Sequence, residues 1–175
     1  MKVKKLLACC LLFIMGMALI GCSGVESSQG KALELYQNLF AGLSEDEYEA
    51  YQAWQTSAQS TGEGLGMVSA DPDALPDWLK ERFESTTTPE CFDNIIGQTL
   101  FTVPVSAYEK GYTIETTQTK VTETDNGYDI SGTLSIKKDG SEQQVDVSVS
   151  IQLNEDGRIS FVDIYNLSNI TTLLA

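Results

Sequence analysis

The second half of the chain alternates between apolar and polar residues. In "YDISGTLSI" the apolar side chains Tyr128, Ile130, Leu134 and Ile136 share one parity, and in "VDVSVSIQL" Val145, Val147, Val149, Ile151 and Leu153 do the same. A period of two puts these groups on one face of a pleated strand and the polar groups on the other. Between such runs stand "TDNG", "KKDG" and "NEDG", whose Asn, Asp and Gly tolerate the left-handed backbone of tight turns. Strands joined by short turns form an antiparallel meander. A meander with one apolar face needs a cover, and this need constrains the rest of the chain. "ISFVDIYNL" is apolar on both faces, which predicts a central strand covered on each side. Val103 and Val105 flank Pro104, so any strand there is expected at a sheet edge, where a missing amide is harmless.

The first half supplies the cover as helices. "KALELYQNLFAGL" sets Leu35, Leu39 and Leu43 at helical spacing with Ala32, Tyr36 and Phe40 beside them, and Gly42 is a natural stop. "SEDEYEAYQAWQ" opens with Ser44 and Glu47 in capping-box spacing. Tyr48, Tyr51 and Trp54 then share a face, which reads as core packing before it reads as a binding stripe. "PDWLKERFE" begins at Pro76 with Asp77 near its positive end, and is expected to bury Leu75, Trp78, Leu79 and Phe83. "TPECFDNIIG" carries Thr88 at the cap, Pro89 at the first helical position, and Phe92, Ile95 and Ile96 on one side. Helices followed by a meander predict the α+β class, with the helices packed on one face of a curved antiparallel sheet.

The N-terminus speaks to location. Lys2, Lys4 and Lys5 precede an apolar run from Leu6 to Ile20, shorter than the roughly 20 residues a membrane-spanning helix needs. The order of charge then apolar run is that of a secretory signal. Leu19-Ile20-Gly21-Cys22 resembles the lipobox of bacterial lipoprotein signal peptides. The resemblance implies removal of residues 1–21 and attachment of acyl chains such as palmitate through Cys22, which becomes the lipid-attachment site. Each buried CH₂ contributes about 0.8 kcal/mol, so two or more chains anchor stably where one does not. "SGVESSQG", Ser23 to Gly30, reads with Cys22 as a flexible tether over residues 22–30, leaving residues 31–175 as a single domain. The location implied is the outer face of a bacterial cell membrane, of the Gram-positive kind.

Composition narrows the chemistry. After residue 21 the chain keeps 8 Lys/Arg against 25 Asp/Glu, a formal charge of −17. That balance argues against nucleic acid as a partner, because phosphate binding needs a basic patch. Cys9 and Cys10 fall in the leader and Cys22 is lipidated, so Cys91 is left without an intramolecular mate and is expected as a buried thiol. The chain has no histidine, which removes Ser-His-Asp and Cys-His catalysis and the commonest zinc ligand. "QLNEDGRISFVD" tests poorly as a calcium loop: Asn154, Asp156, Ile159 and Asp163 take positions 3, 5, 8 and 12, but Gln152 stands first and the flanks read as strands. A hairpin is expected. Asp71, Asp73 and Asp77 read as a solvated acidic loop, and Gly62, Gly64 and Gly66 lack the strand and Lys-Ser/Thr of a phosphate loop. No cofactor or metal is expected.

Helices first, the "TPECFDNIIG" helix before the sheet, and a long curved meander together resemble the NTF2-like (cystatin-like) domains common in bacterial lipoproteins, over about residues 31–170. The resemblance implies a cone enclosed by helices and sheet. Some such cones use a carboxylate base with a tyrosine hydroxyl as oxyanion donor, for which Tyr108, Asp163 and Tyr165 are the candidates, Asp163 and Tyr165 on one face of a strand. Nothing marks these three apart from structural residues, and no catalytic residue is assigned. The function expected is a non-catalytic binding or interaction module of the cell envelope, taking an envelope protein or a small apolar ligand. The competing class is an extracytoplasmic hydrolase or isomerase. A third reading fills the cone with Trp54, Trp78 and the phenylalanines and leaves the outer sheet face to bind a partner.

The anchor makes a direct prediction. The wild-type chain should fractionate with membranes and carry lipid, and Cys22→Ser should release it in a lipid-free form. Equal solubility of the two would refute the anchor.

Overall fold

The structure, a computed structural model, describes residues 27–60 and 75–174. Cys22, the leader, most of the tether and the loop carrying Gly62 to Asp73 lie outside the described residues. Five helices come first: α1 (Ser28–Leu39), α2 (Glu45–Ser60), α3 (Asp77–Phe83), α4 (Pro89–Gly97) and α5 (Thr102–Glu109). Strands β1 (Thr113–Thr124), β2 (Gly127–Lys138), β3 (Ser141–Leu153) and β4 (Ile159–Ile164) follow, and α6 (Leu167–Leu173) closes the described chain. The strands form one antiparallel sheet in the order β1-β2-β3-β4. The protein is α+β, helices first and then the meander.

One face of the sheet is buried. Ile130, Leu134 and Ile136 of β2, Val147, Val149 and Ile151 of β3, and Val162 and Ile164 of β4 point inward, and the helices meet them with Leu35, Leu39, Phe83, Ile95 and Val105 among others. The turns are built as their residues dictate. In "KKDG" both Asp139 (φ 51°) and Gly140 (φ 80°) are left-handed, the backbone of the hairpin turn whose twist matches the flanking strands. In "NEDG" the Asn154 Oδ1 accepts from the amides of Asp156 and Arg158 at 3.1 and 2.8 Å, while Gly157 takes φ 71°.

Three expectations are corrected. The segment around Val103 and Val105 is helix α5 and not an edge strand. Pro104 is its third residue, and first-turn amides have no intrahelical acceptor, so the proline forfeits no bond. The "ISFVDIYNL" strand is an edge strand, not a central one. Its two-sided apolar pattern has two causes: a register shift beside Gln152/Leu153 turns both Ile159 and Val162 inward, and Phe161 and Tyr165 face solvent. Helix α1 opens at Ser28, three residues inside the expected tether, because Ser27 caps it by accepting from the Gly30 amide at 3.1 Å.

The capping box at α2 is reciprocal: the Ser44 amide donates to Glu47 Oε2 at 2.7 Å and the Glu47 amide to Ser44 Oγ at 3.3 Å. Glu47 Oε1 also receives Arg82 Nη2 at 2.6 Å. Arg82 donates further to the Ala41 and Gly42 carbonyls at 3.0 and 3.1 Å and lies 5.0 Å over the Trp78 ring. One side chain of α3 thereby ties down the α1–α2 connection and the start of α2. Burial works against ionisation of Glu47, but the Ser44 amide and hydroxyl and the Arg82 charge outweigh it and hold the carboxyl below its ordinary value.

Helix α1 keys into a fault in the sheet. Between Thr117/Thr133 and Lys120/Ser131 two residues of β1, Gln118 and Thr119, oppose the single Gly132, and Gln118 is left-handed at φ 53°. This is a β-bulge, which bends and twists its strand. The Tyr36 hydroxyl enters the notch: a Cβ on Gly132 would stand 2.5 Å from it and 3.0 Å from the Thr117 carbonyl. The hydroxyl is buried and makes no hydrogen bond of ordinary geometry, and burial pushes its pKa up, with a hydrogen-bonding interaction with the Thr119 side chain opposing.

Two predictions follow from these contacts. Gly132→Ala should cost about 1–3 kcal/mol through overpacking, and part of that cost should vanish in a Tyr36→Phe background. Tyr36→Phe alone should be neutral or stabilising, since it deletes a buried hydroxyl that makes no hydrogen bond of ordinary geometry. Urea denaturation of the four proteins measures the coupling, and strict additivity would refute the notch. Arg82→Ala should cost about 2–4 kcal/mol by stranding Glu47 and two carbonyls. Because the folded pKa of Glu47 is depressed, its contribution is full above the unfolded value and is lost as pH falls through the folded value. Acid titration of stability should therefore be shallower in Arg82→Ala.

Candidate functional site

Among the described residues the helical layer packs its aromatic side chains on one another. Phe101 receives Tyr51 and Trp78 edge-on at 6.1 Å each, Trp54 lies 6.0 Å from Tyr51, and Tyr36 meets Phe40 at 5.4 Å. All of these side chains are buried. Edge-to-face aromatic pairs of this spacing pack as a core. The Tyr48–Tyr51–Trp54 stripe is absorbed in the same way, with Tyr48 stacked 4.5 Å from Tyr108 and its hydroxyl donating to Glu109 at 3.2 Å.

The described residues line two shallow depressions at sheet turns. One, of about 230 Å³, sits by the β2–β3 turn and is lined by Tyr112, Ile136, Lys138, Asp139, Ser141 and Gln143. Lys138 there is engaged, donating to the Lys110 carbonyl at 2.7 Å and lying 5.0 Å over the Tyr112 ring. The other, of about 330 Å³, lies between the β1–β2 and β3–β4 turns, with Glu123, Asp125, Asn154 and Glu155 in its wall. Among the described residues no group of three or more Cys, Asp or Glu side chains is placed to hold a metal.

The three candidate groups of a catalytic cone do not meet. Asp163 and Tyr165 do share a face, but it is the outer, solvent face of β4, where Asp163 is exposed and Tyr165 is 65% exposed. Tyr108 lies on α5 against Tyr48, within the helical layer. The physical reason is parity. Val162 and Ile164 take the inner face, so their neighbours must point outward. The calcium-loop candidates form the hairpin described above: Asn154 Oδ1 is spent on backbone amides, and Asp163 is paired across the sheet with Ser150. Asp77 is exposed at the start of α3. Asp71 and Asp73 lie outside the described residues, as does Cys22.

What the structure adds is the outer face itself. Across the register it presents Asp129, Ser131 and Thr133 of β2, then Asp146, Ser148 and Ser150 of β3. On β4 it presents Phe161, 45% exposed, and Asp163, with Tyr165 in the turn just past the strand's end. At the far end this face is closed by its own network: Ser135 Oγ donates to Glu142 Oε1 at 2.7 Å, Gln144 Nε2 to the same oxygen at 3.2 Å, and Lys137 pairs with Glu115 at 3.5 Å. Those hydrogen bonds, with Lys137, hold the Glu142 carboxyl below its ordinary value. The β4 end has no such closure. The signal for it stood in the sequence, as the aromatics of "ISFVDIYNL", but apolar residues on both faces read as burial until the strand's place at the edge is known.

No protein family and no curated protein matches the chain. Among solved structures, a de novo designed β-sheet protein determined by solution NMR aligns with 69% of this chain and 88% of its own, at 20% identity and a TM-score of 0.35.

Cys91 is buried on α4, and burial pushes its thiol up to about 11. At pH 8 only about a thousandth of it is thiolate, the reactive form. A thiol reagent should modify the native domain far more slowly than the unfolded one, and non-reducing gels should show monomer. A stoichiometric dimer that collapses on reduction would overturn the buried-thiol assignment.

Proposed function

We propose that this chain is a lipoprotein anchored through Cys22 on the outer face of the cell membrane, and that its α+β domain is a non-catalytic interaction module of the cell envelope. The observation that carries the second half is the contrast between aromatics that pack on one another among the described residues and an open outer sheet face. Tyr51, Trp54, Trp78 and Phe101 occupy each other's surroundings, whereas Phe161 and Tyr165 stand in solvent. Exposed aromatics on a rigid sheet are a common basis of protein recognition. The anchor rests on the basic start, the short apolar run and Leu19-Ile20-Gly21-Cys22. The finer fold reading, an NTF2-like cone, belongs to the same proposal and is supported by the bulges at Gln118–Thr119 and at the start of β4, each of which bends a strand. In this reading the cone is a packed core and its convex sheet is the working surface.

Crosslinking of the anchored protein in cells, followed by mass spectrometry of adducts and retained small molecules, tests this function. A reproducible envelope-protein adduct is expected. A co-purifying apolar ligand in its place would move the function to the interior. Turnover of an envelope substrate that disappears in Asp163→Asn or Tyr165→Phe with the fold intact would replace the module with an enzyme.

A further inference from the structure

Three features meet on the outer face of β4. Phe161 and Asp163 stand on β4 about 6.6 Å apart, Tyr165 follows in the turn after the strand with its amide donating to the Ser148 carbonyl at 3.1 Å, and all three are exposed. Among the described residues no hydrogen bond or ion pair engages the Asp163 carboxylate, although Glu142, Asp146 and Glu115 on the same face each have a polar partner. The charge around it has one sign. Neither β3 nor β4 contains a lysine or arginine, while their outward positions carry Glu142, Asp146 and Asp163 and the neighbouring strand adds Asp129. The nearest cation across the register is Lys120, on β1 at the opposite edge of the sheet, in the row Lys120–Ser131–Ser148–Tyr165. Arg158, beside β4, is committed to the Glu84 and Thr87 carbonyls.

Such a row suits a particular occupant. A carboxylate flanked by two exposed aromatic residues attracts a cation by charge, to which ring quadrupoles add where a ring faces it, and Ser148, Ser150 and Gln152 beside it provide hydroxyl and amide groups for hydrogen bonding. A second copy of this chain would bring the same negative face and be repelled, and an anionic lipid or nucleic acid would be repelled likewise. We propose that the outer β3–β4 face, centred on Phe161, Asp163 and Tyr165, docks an extended, lysine- or arginine-bearing segment of another protein. An extended chain repeats its own side chains at the same spacing, so alternate residues of the segment face the row in register. This inference rests on the interaction-module reading and adds the chemistry of the partner.

The experiment is an NMR titration of the full chain with a synthetic peptide of alternating arginine and serine, with a neutral oligosaccharide and anionic vesicles as competitors. Saturable shifts confined to Phe161–Tyr165 and the facing β3 residues are expected. Binding should weaken about tenfold in Asp163→Asn and in the Phe161→Ser/Tyr165→Ser pair, and should fall as salt shortens the screening length from about 10 Å at 0.1 M to about 3 Å at 1 M. Asp93→Asn, an exposed acid on α4, should leave it unchanged. Unchanged amide spectra elsewhere confirm that each variant is folded. Equal affinity in all variants would show diffuse attraction to an acidic protein and overturn the proposal, as would preferential binding of the oligosaccharide or the vesicles at this face. An envelope-protein adduct formed through a different surface would overturn it too, while leaving the interaction-module function standing.

Discussion

The structure depends on one constraint: a four-stranded antiparallel sheet with a single apolar face has to be covered. β2 and β3 are long strands whose inward positions are Ile130, Leu134, Ile136, Val147, Val149 and Ile151. Exposed, each such side chain would forfeit roughly 1.5–3 kcal/mol. The helices exist in this form because they hide that face, and short ones such as α3 and α4 are too brief to persist alone. Their caps and turns set where each helix starts, and the sheet sets where it lies.

Covering the sheet leaves polar groups to satisfy, and two residues show how differently this is done. Arg82 resolves a crowded junction by giving its guanidinium to a carboxylate and two carbonyls while its plane covers Trp78. Arginine suits this because its planar fork donates in several directions at once. Tyr36 does the opposite. Its hydroxyl is carried into the sheet bulge without a hydrogen bond of ordinary geometry, where it occupies the space beside Gly132 that a side chain would otherwise need. Shape is won there at the expense of a hydrogen bond.

The described aromatics of the helical layer pack on one another, and the proposed recognition is assigned to the surface. The outer sheet face is polar and acidic, ordered by cross-strand pairs at one end and open around Asp163 at the other. In the proposed reading, the same acidity favours partners of opposite charge.

The sequence by itself determined the period-two strands from Tyr128 to Leu153, the hairpins between them, the capping box at Ser44 and Glu47, the cap at Thr88 and the α+β order. Each of these is local: alternation, turn chemistry and cap spacing act within a few residues, so they are legible without the rest of the chain. Tertiary structure decided what depends on neighbours. Whether "ISFVDIYNL" is central or at an edge turns on what pairs with its second side, and only the sheet order shows that β4 has β3 alone along most of its length. Whether Val103-Pro104-Val105 is strand or helix turns on where Pro104 falls in a turn, and the helix start at Thr102 places it where a missing amide costs nothing. Asp163 and Tyr165 were legible as a pair on one face. Which face it was, inner or outer, was settled by the inward packing of Val162 and Ile164 against the helices, a contact between segments far apart in the chain.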